Sequence, residues 1–220
     1  RDPPGVASKL GGAPWLKRGD VWPACESCQK PMRFVLQINL KDVEAAGLDA
    51  SSGIKGKNDG LLQLWACDEE NECDTFEPFG GTCKLRIVPR KDFGKQDTEA
   101  KMPDGVKPYG AKLVTGWEKR AELPGSEEMG ESGLETDDLD EFLDLLSNAG
   151  ISGEKVGGWP NWCQGIEYPE CPDCGEPMTS VLFQLESDTV DGISLGDAGT
   201  AHVTQCAKHR QQLAFAWACC

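Results

Sequence analysis

The stretch "KVGGWPNWCQGIEYPECPDCGEPM", residues 155–178, lies without a gap on "KLGGAPWLKRGDVWPACESCQKPM", residues 9–32. Lys9, Gly11, Gly12, Pro14, Gly19, Pro23, Cys25, Cys28, Pro31 and Met32 each recur 146 positions further on, ten identities in 24. Matches concentrated in Gly, Pro and Cys conserve backbone shape and ligand chemistry rather than composition, so the chain reads as an internal repeat. Its fold has to be built from that unit.

Each block is followed by the same order of elements. A strand-like run comes first, "RFVLQINL" (33–40) and "SVLFQLES" (180–187), with apolar residues spaced as on a half-buried sheet. A Gly-containing turn and a second strand ending in Cys come next, "NDGLLQLWAC" (58–67) and "GDAGTAHVTQC" (196–206). A last strand closes each copy, "CKLRIV" (83–88) and "LAFAWACC" (213–220). In the latter, Leu213, Phe215 and Trp217 share one face and the intervening alanines the other.

The segment between the copies is acidic and rich in Gly, Pro and Glu. "YGAKLVTGWEKRAEL" (109–123) reads as one or two strands with a bend, and "GSEEMGESG" (125–133) as a mobile loop. "TDDLDEFLDLLSNAG" (136–150) reads as a helix: Thr136 caps it, acids suit its first turn, Gly150 ends it, and Leu139, Phe142, Leu143 and Leu146 make its core stripe. A shorter helical turn is expected at "KDVEAAG" (41–47). The expected fold is therefore mainly β (α+β), with two pseudo-symmetric β-rich halves, 1–88 and 155–220, each carrying a zinc-knuckle-like site. Residues 89–154 form an acidic helix-containing insert.

The chemistry lies in the cysteines. There are eleven, at 25, 28, 67, 73, 83, 163, 171, 174, 206, 219 and 220, an odd number that forbids complete intrachain pairing. A thioredoxin-type pair needs its thiolate at a helix N-terminus, whereas here Pro-Met and a strand follow each CxxC. A disulfide framework belongs to short secreted chains without a core, which 220 residues need not be. Zinc accounts for more: two intervening residues turn both sulfurs onto one ion, and a second pair from a neighbouring strand completes a tetrahedron. The expected ligand sets are Cys25, Cys28, Cys67 and Cys73 in the first copy and Cys171, Cys174, Cys206 and His209 in the second. A zinc ligand can change from Cys73 to His209 between copies; a disulfide partner cannot. Four protein ligands leave no position for water, so two structural rather than catalytic ions are expected. Cys83 is an alternative to Cys73, because five residues separate Cys67 from Cys73. Cys163, Cys219 and Cys220 read as core or surface thiols.

Little is left for catalysis. His209 is spoken for, His202 reads as an ordinary strand histidine, and the carboxylates cluster in solvated acidic runs. No G-x-S-x-G, P-loop, dinucleotide fingerprint or HExxH is present. The expected protein is not an enzyme, a thiol-dependent enzyme being the alternative. A net charge of −15 disfavours nucleic acid and favours a basic protein or peptide partner. No apolar run approaches a membrane span, and the expected setting is cytoplasmic. Trp15, Trp22, Trp159 and Trp162 sit in the two Gly-Gly-x-Pro segments, either as hydrophobic cover over the knuckles or as an aromatic groove for an extended peptide.

The blocks "LGGAPWL", "WPACESCQKPMRFVLQINL", "GLLQLWAC" and "GDAGTAHVTQCAKHRQQLAFAWACC" resemble the YwqG-like family of bacterial proteins. More distantly they are similar to programmed cell death protein two and its yeast ribosome-biogenesis relative. The resemblance implies a mostly β fold of two related halves, no established enzyme activity, and, from the eukaryotic relatives, a chaperone role toward a basic ribosomal client. It would place the client groove at Gly11, Gly12 and Pro14 and at Gly157, Gly158 and Pro160. Bacterial members near toxin systems make an immunity-type protein that masks a basic toxin the alternative.

Overall fold

The computed structural model describes residues 4–45, 60–69, 73–75, 77–96, 101–125, 127–129, 150–189 and 193–219. The described residues are mainly β, with two antiparallel sheets and little helix. The first sheet has five strands in the order β4-β3-β2-β1-β5: β1 Lys9–Leu10, β2 Arg33–Asn39, β3 Gly60–Ala66, β4 Cys83–Pro89 and β5 Lys112–Leu113. The second has three, β6 Ser180–Glu186, β7 Thr200–Gln205 and β8 Leu213–Ala218, in that order. The six expected long strands are thus found, and the helical turn expected at 41–47 is α1, Leu40–Ala45. The helix expected at 136–150 falls, but for Gly150, outside the described residues.

The fold divides into two compact units. Of the described residues, one comprises those within 4–45, 60–117 and 188–193, the other those within 118–187 and 194–219. By that division the described residues of 89–117 go with the first unit and those of 118–154 with the second. β5 extends the first sheet by pairing with β1, and Glu122 and Glu128 belong to the second unit. Of the loop expected at 125–133, Gly125 and Glu127–Met129 are described: Glu127–Met129 is helical and Glu128 is buried, and the rest lies outside the described residues.

In the first unit β2 and β3 are buried on both faces. Leu61 packs with Val6, Trp15, Val88 and Phe93, while Phe34 and Trp65 pack with Leu16, Met32 and the cysteines of the first CxxC block. Between these apolar groups sit two fully buried amides, Gln37 and Gln63, paired across β2 and β3. Polar side chains are tolerated there only when their hydrogen bonds are met. Gln37 Oε1 accepts from Trp15 N at 2.8 Å and from Gln63 Nε2 at 3.0 Å, and its Nε2 donates to Gly5 and Ala7 carbonyls. Gln63 Nε2 also donates to the Trp15 carbonyl at 2.7 Å, so the sheet grips the Gly-Gly-x-Pro segment by its backbone.

The second unit repeats this grip. Gln184 Oε1 accepts from Asn161 N at 2.8 Å and Nε2 donates to Ile151 and Gly153 carbonyls. The partners lie 146 residues after those of Gln37, and Gln184 itself 147, the extra residue preceding a register shift that both sheets carry at the corresponding place: between Phe34 and Leu36, and between Val181 and Phe183. His202 occupies the place of Gln63, its Nε2 3.2 Å from Gln184 Oε1.

Candidate metal centres and the glycine segments

Each CxxC is set by a turn written into the repeat. In the first, Cys25 N donates to the Lys30 carbonyl, Gln29 N to the Cys25 carbonyl and Met32 N to the Pro23 carbonyl; in the second, Cys171 N, Gly175 N and Met178 N make the corresponding bonds. The turn needs a left-handed residue just after the second Cys. Gly175 takes φ +70° freely, whereas Gln29 takes φ +61° at a cost of about 1 kcal/mol. Strand pairing then supplies the other ligands: Arg33 opposite Ala66 brings Cys67 beside the first turn, and Ser180 opposite Gln205 brings Cys206 beside the second.

The ligand atoms of Cys25, Cys28, Cys67 and Cys73 all lie within 4.8 Å of one another, as do those of Cys171, Cys174, Cys206 and His209. Cys25 and Cys73 sulfurs are 3.7 Å apart, Cys28 and Cys67 3.8 Å, and Cys174 and Cys206 3.8 Å. His209 Nδ1 lies 3.7 Å from the Cys171 sulfur and 3.9 Å from that of Cys206. A disulfide would need about 2.05 Å. A tetrahedron with metal–sulfur bonds of about 2.3 Å has edges of about 3.8 Å, so the donor sets fit a zinc-sized ion. Cys83 lies outside the first group, its thiol donating to the Pro78 carbonyl and pushed up to about 11 by burial.

The electrostatics divide the thiols. Burial raises Cys25, but amide donors at Cys28 and Ser27 outweigh it and bring the thiol down to about 7. Cys206 is likewise brought to about 7, chiefly by the His209 amide, whose N lies 3.2 Å from the sulfur. Burial pushes Cys67 far up and Cys73 to about 11, their sulfurs facing the thiolates beside them. A cluster in which some sulfurs ionise readily and others resist is relieved by a cation at its centre, since metal ligation requires thiolates.

Around these groups the glycine segments are largely structural. Trp15 is fully buried beside Phe93 and offers no surface to a partner. Trp22 covers the first cysteine cluster and donates its indole N–H to the Met32 carbonyl at 2.8 Å. Gly11 and Pro160 are buried, while Gly12, Pro14 and Trp159 are partly exposed. Gly157 is buried and Gly158 is exposed. Gly158, at φ +77°, leaves room for a carboxylate: a Cβ there would sit 2.1 Å from Glu122 Oε2. Glu122, its side chain 9% exposed, accepts from Trp159 N at 3.1 Å and Ile151 N at 2.9 Å and pairs with Lys155. Burial holds the Lys155 ammonium below its ordinary range, with Glu122 opposing. Trp162 is half-buried, its indole N–H donating to Glu128 Oε1 at 2.8 Å, the same oxygen that accepts from the Tyr168 hydroxyl at 2.7 Å. Among the described residues no helix is long and apolar enough to cross a membrane.

Sequence reading missed Glu122 and Glu128. Nothing in an acidic run distinguishes a buried carboxylate from a solvated one; the signal lies in the partners Lys155, Trp162 and Tyr168, more than 30 residues away in the chain.

Among known families, the model of one described as a domain of unknown function, DUF1963, matches residues 8–219. No curated protein matches the chain.

Proposed function

The chain belongs to that family, and we propose that it is a non-enzymatic protein-binding module, braced by two structural zinc ions, that holds a basic protein or peptide as a chaperone or scaffold. The observation that carries the reading is the pair of closed donor sets. Four protein ligands at tetrahedral spacing leave no coordination position for water or substrate, so the ions would brace strands rather than perform chemistry. The recurrence of turn, grip and donor set in the second sheet, with its CxxC 146 residues after the first, supports two halves derived from one unit. A net charge of −15 supports a cationic client, attracted over roughly a Debye length of 8 Å at physiological salt. The resemblance to the YwqG-like family and to programmed cell death protein two points the same way.

Affinity capture from the native host at low salt, followed by mass spectrometry and elemental analysis of the purified chain, tests the reading. Two zinc ions per chain and a basic client released by salt are expected. A ribosomal protein would mark the chaperone role, and one tight toxin the immunity role. One ion or none, or no cationic partner, overturns the proposal.

A further inference from the structure

The two units diverge at one station of the sheet. In the first, Arg86 of β4 stands opposite Gln63. Its Nε donates to Gln63 Oε1 at 2.8 Å, its guanidinium lies 5.0 Å from the Trp65 ring centre, and Nη2 is 2.8 Å from Asp20 Oδ2 as an ion pair rather than an aligned hydrogen bond. In the second, the residue opposite His202 is Ala216, and Thr204 stands where Trp65 does. Two large side chains are thus replaced by small ones, and a partly open cleft lies there, lined by Trp162, Glu167, Thr200, His202, Thr204 and Ala216 among others.

Several groups lining this cleft can accept hydrogen bonds. Gln184 uses its amide nitrogen on Ile151 and Gly153, so its oxygen faces His202 and the imidazole must donate from Nε2. Burial holds His202 neutral at pH 7, its pKa lowered to about 4, which leaves Nδ1 as an acceptor. Thr204 is 1% exposed, and its hydroxyl oxygen has no hydrogen-bond partner among the described residues. Glu167 adds an exposed carboxylate. Trp162 adds an aromatic surface fixed by its bond to Glu128, its edge-on contact with Tyr168 at 4.9 Å and its packing on His202 at 4.8 Å.

We propose that this cleft is an arginine-side-chain site, taking from a partner the guanidinium that Arg86 supplies internally in the other unit. A guanidinium offers a flat cation for Trp162 and divergent N–H donors for Thr204, His202 and Glu167; an ammonium matches the charge but not the fork. The inference rests on the reading of a basic client and names the group by which that client is held.

The test uses the zinc-replete full chain and the Trp162 indole N–H resonance, assigned by its loss in Trp162→Phe. N-acetyl-arginine methylamide should shift it saturably, with the lysine and citrulline analogues weaker by on the order of tenfold or more. Ala216→Arg, which fills the cleft from within, should abolish the response, and Thr204→Val should weaken it. The wild-type comparison of the three analogues stays decisive if Ala216→Arg does not fold. Equal binding of arginine and lysine analogues, no saturable shift, or an unchanged response in folded Ala216→Arg overturns the site. Arginine binding without capture of any basic protein upholds the site and overturns the client reading. Capture of a basic protein equally by wild type and Ala216→Arg, with no response to the arginine probe, does the reverse.

Discussion

Gln184 repeats the hydrogen bonds of Gln37: each amide oxygen accepts a backbone N–H from its Gly-Gly-x-Pro segment, and each amide nitrogen donates to two carbonyls just upstream of it. Since both side chains are fully buried, Gln37→Leu or Gln184→Leu strands several backbone groups without water. Each should cost about 2–4 kcal/mol, from a lost-partner penalty of about 1–3 kcal/mol per group softened by relaxation. Urea unfolding of each variant measures it; a loss below about 1 kcal/mol would show that the grip does not hold the segment.

The two candidate fourth ligands of the first centre separate by metal content. Cys73→Ser should lower bound zinc by one ion per chain, and Cys83→Ser should leave it unchanged, because only the Cys73 sulfur joins the cluster. Elemental analysis after gel filtration gives the result. Chelation of both ions should lower the melting temperature by well over about 10 °C, given that binding energy in such sites feeds into folding.

His202 should make stability depend on pH in a definite direction. Its folded pKa, lowered to about 4 by burial and then by the Lys155 charge, lies below the ordinary 6.5. The unfolded chain therefore takes up a proton first as the pH falls. Stability is intact above about pH 6.5 and declines toward pH 4, by up to on the order of 3 kcal/mol. His202→Gln, which installs the residue that Gln63 is in the first sheet, should remove one proton's worth of this slope. Parallel unfolding curves of variant and wild type across pH 7.5 to 5.5 cancel the acid response that both share; identical slopes would refute the assignment.

The pair Glu122 and Lys155 predicts an asymmetry between losing a charge and losing space. Glu122→Gln leaves the Lys155 ammonium buried without its counter-charge and should cost about 3 kcal/mol or more. Gly158→Ala drives a methyl against the same carboxylate at positive φ and should cost about as much. If thermal melts show either change to be neutral, the segment does not depend on that carboxylate.

Much of this architecture was legible before any coordinates, because the repeat carried two independent signals. Cys spacing pointed to both cysteine groups, leaving only Cys83 open against Cys73, and the strand-like runs marked β2, β3, β4, β6, β7 and β8. What stayed hidden were contacts set by single residues. Trp15 stood among tryptophans offered as partner anchors, yet it is fully buried beside Phe93, since indole hydrophobicity alone does not say which side of a segment meets the sheet. Gln37 and Gln184 are polar residues within strands, yet both are buried, because the segment lying over that face has its own backbone groups to satisfy. Glu122 and Glu128 had no periodic context at all.

One consequence follows from where the cysteines sit relative to the strands. Cys67 directly follows β3 and four residues separate the first CxxC from β2, whose Arg33 pairs with Ala66; Cys206 follows β7 in the same way. A slip of one residue between those strands would carry a ligand sulfur about 3.3 Å away, while a zinc site tolerates errors of about 0.2 Å. An ion held there would act as a proofreader of hairpin alignment, closing only on the pairing that turns Phe34 and Trp65 inward and releasing any chain that had zipped one step out of phase.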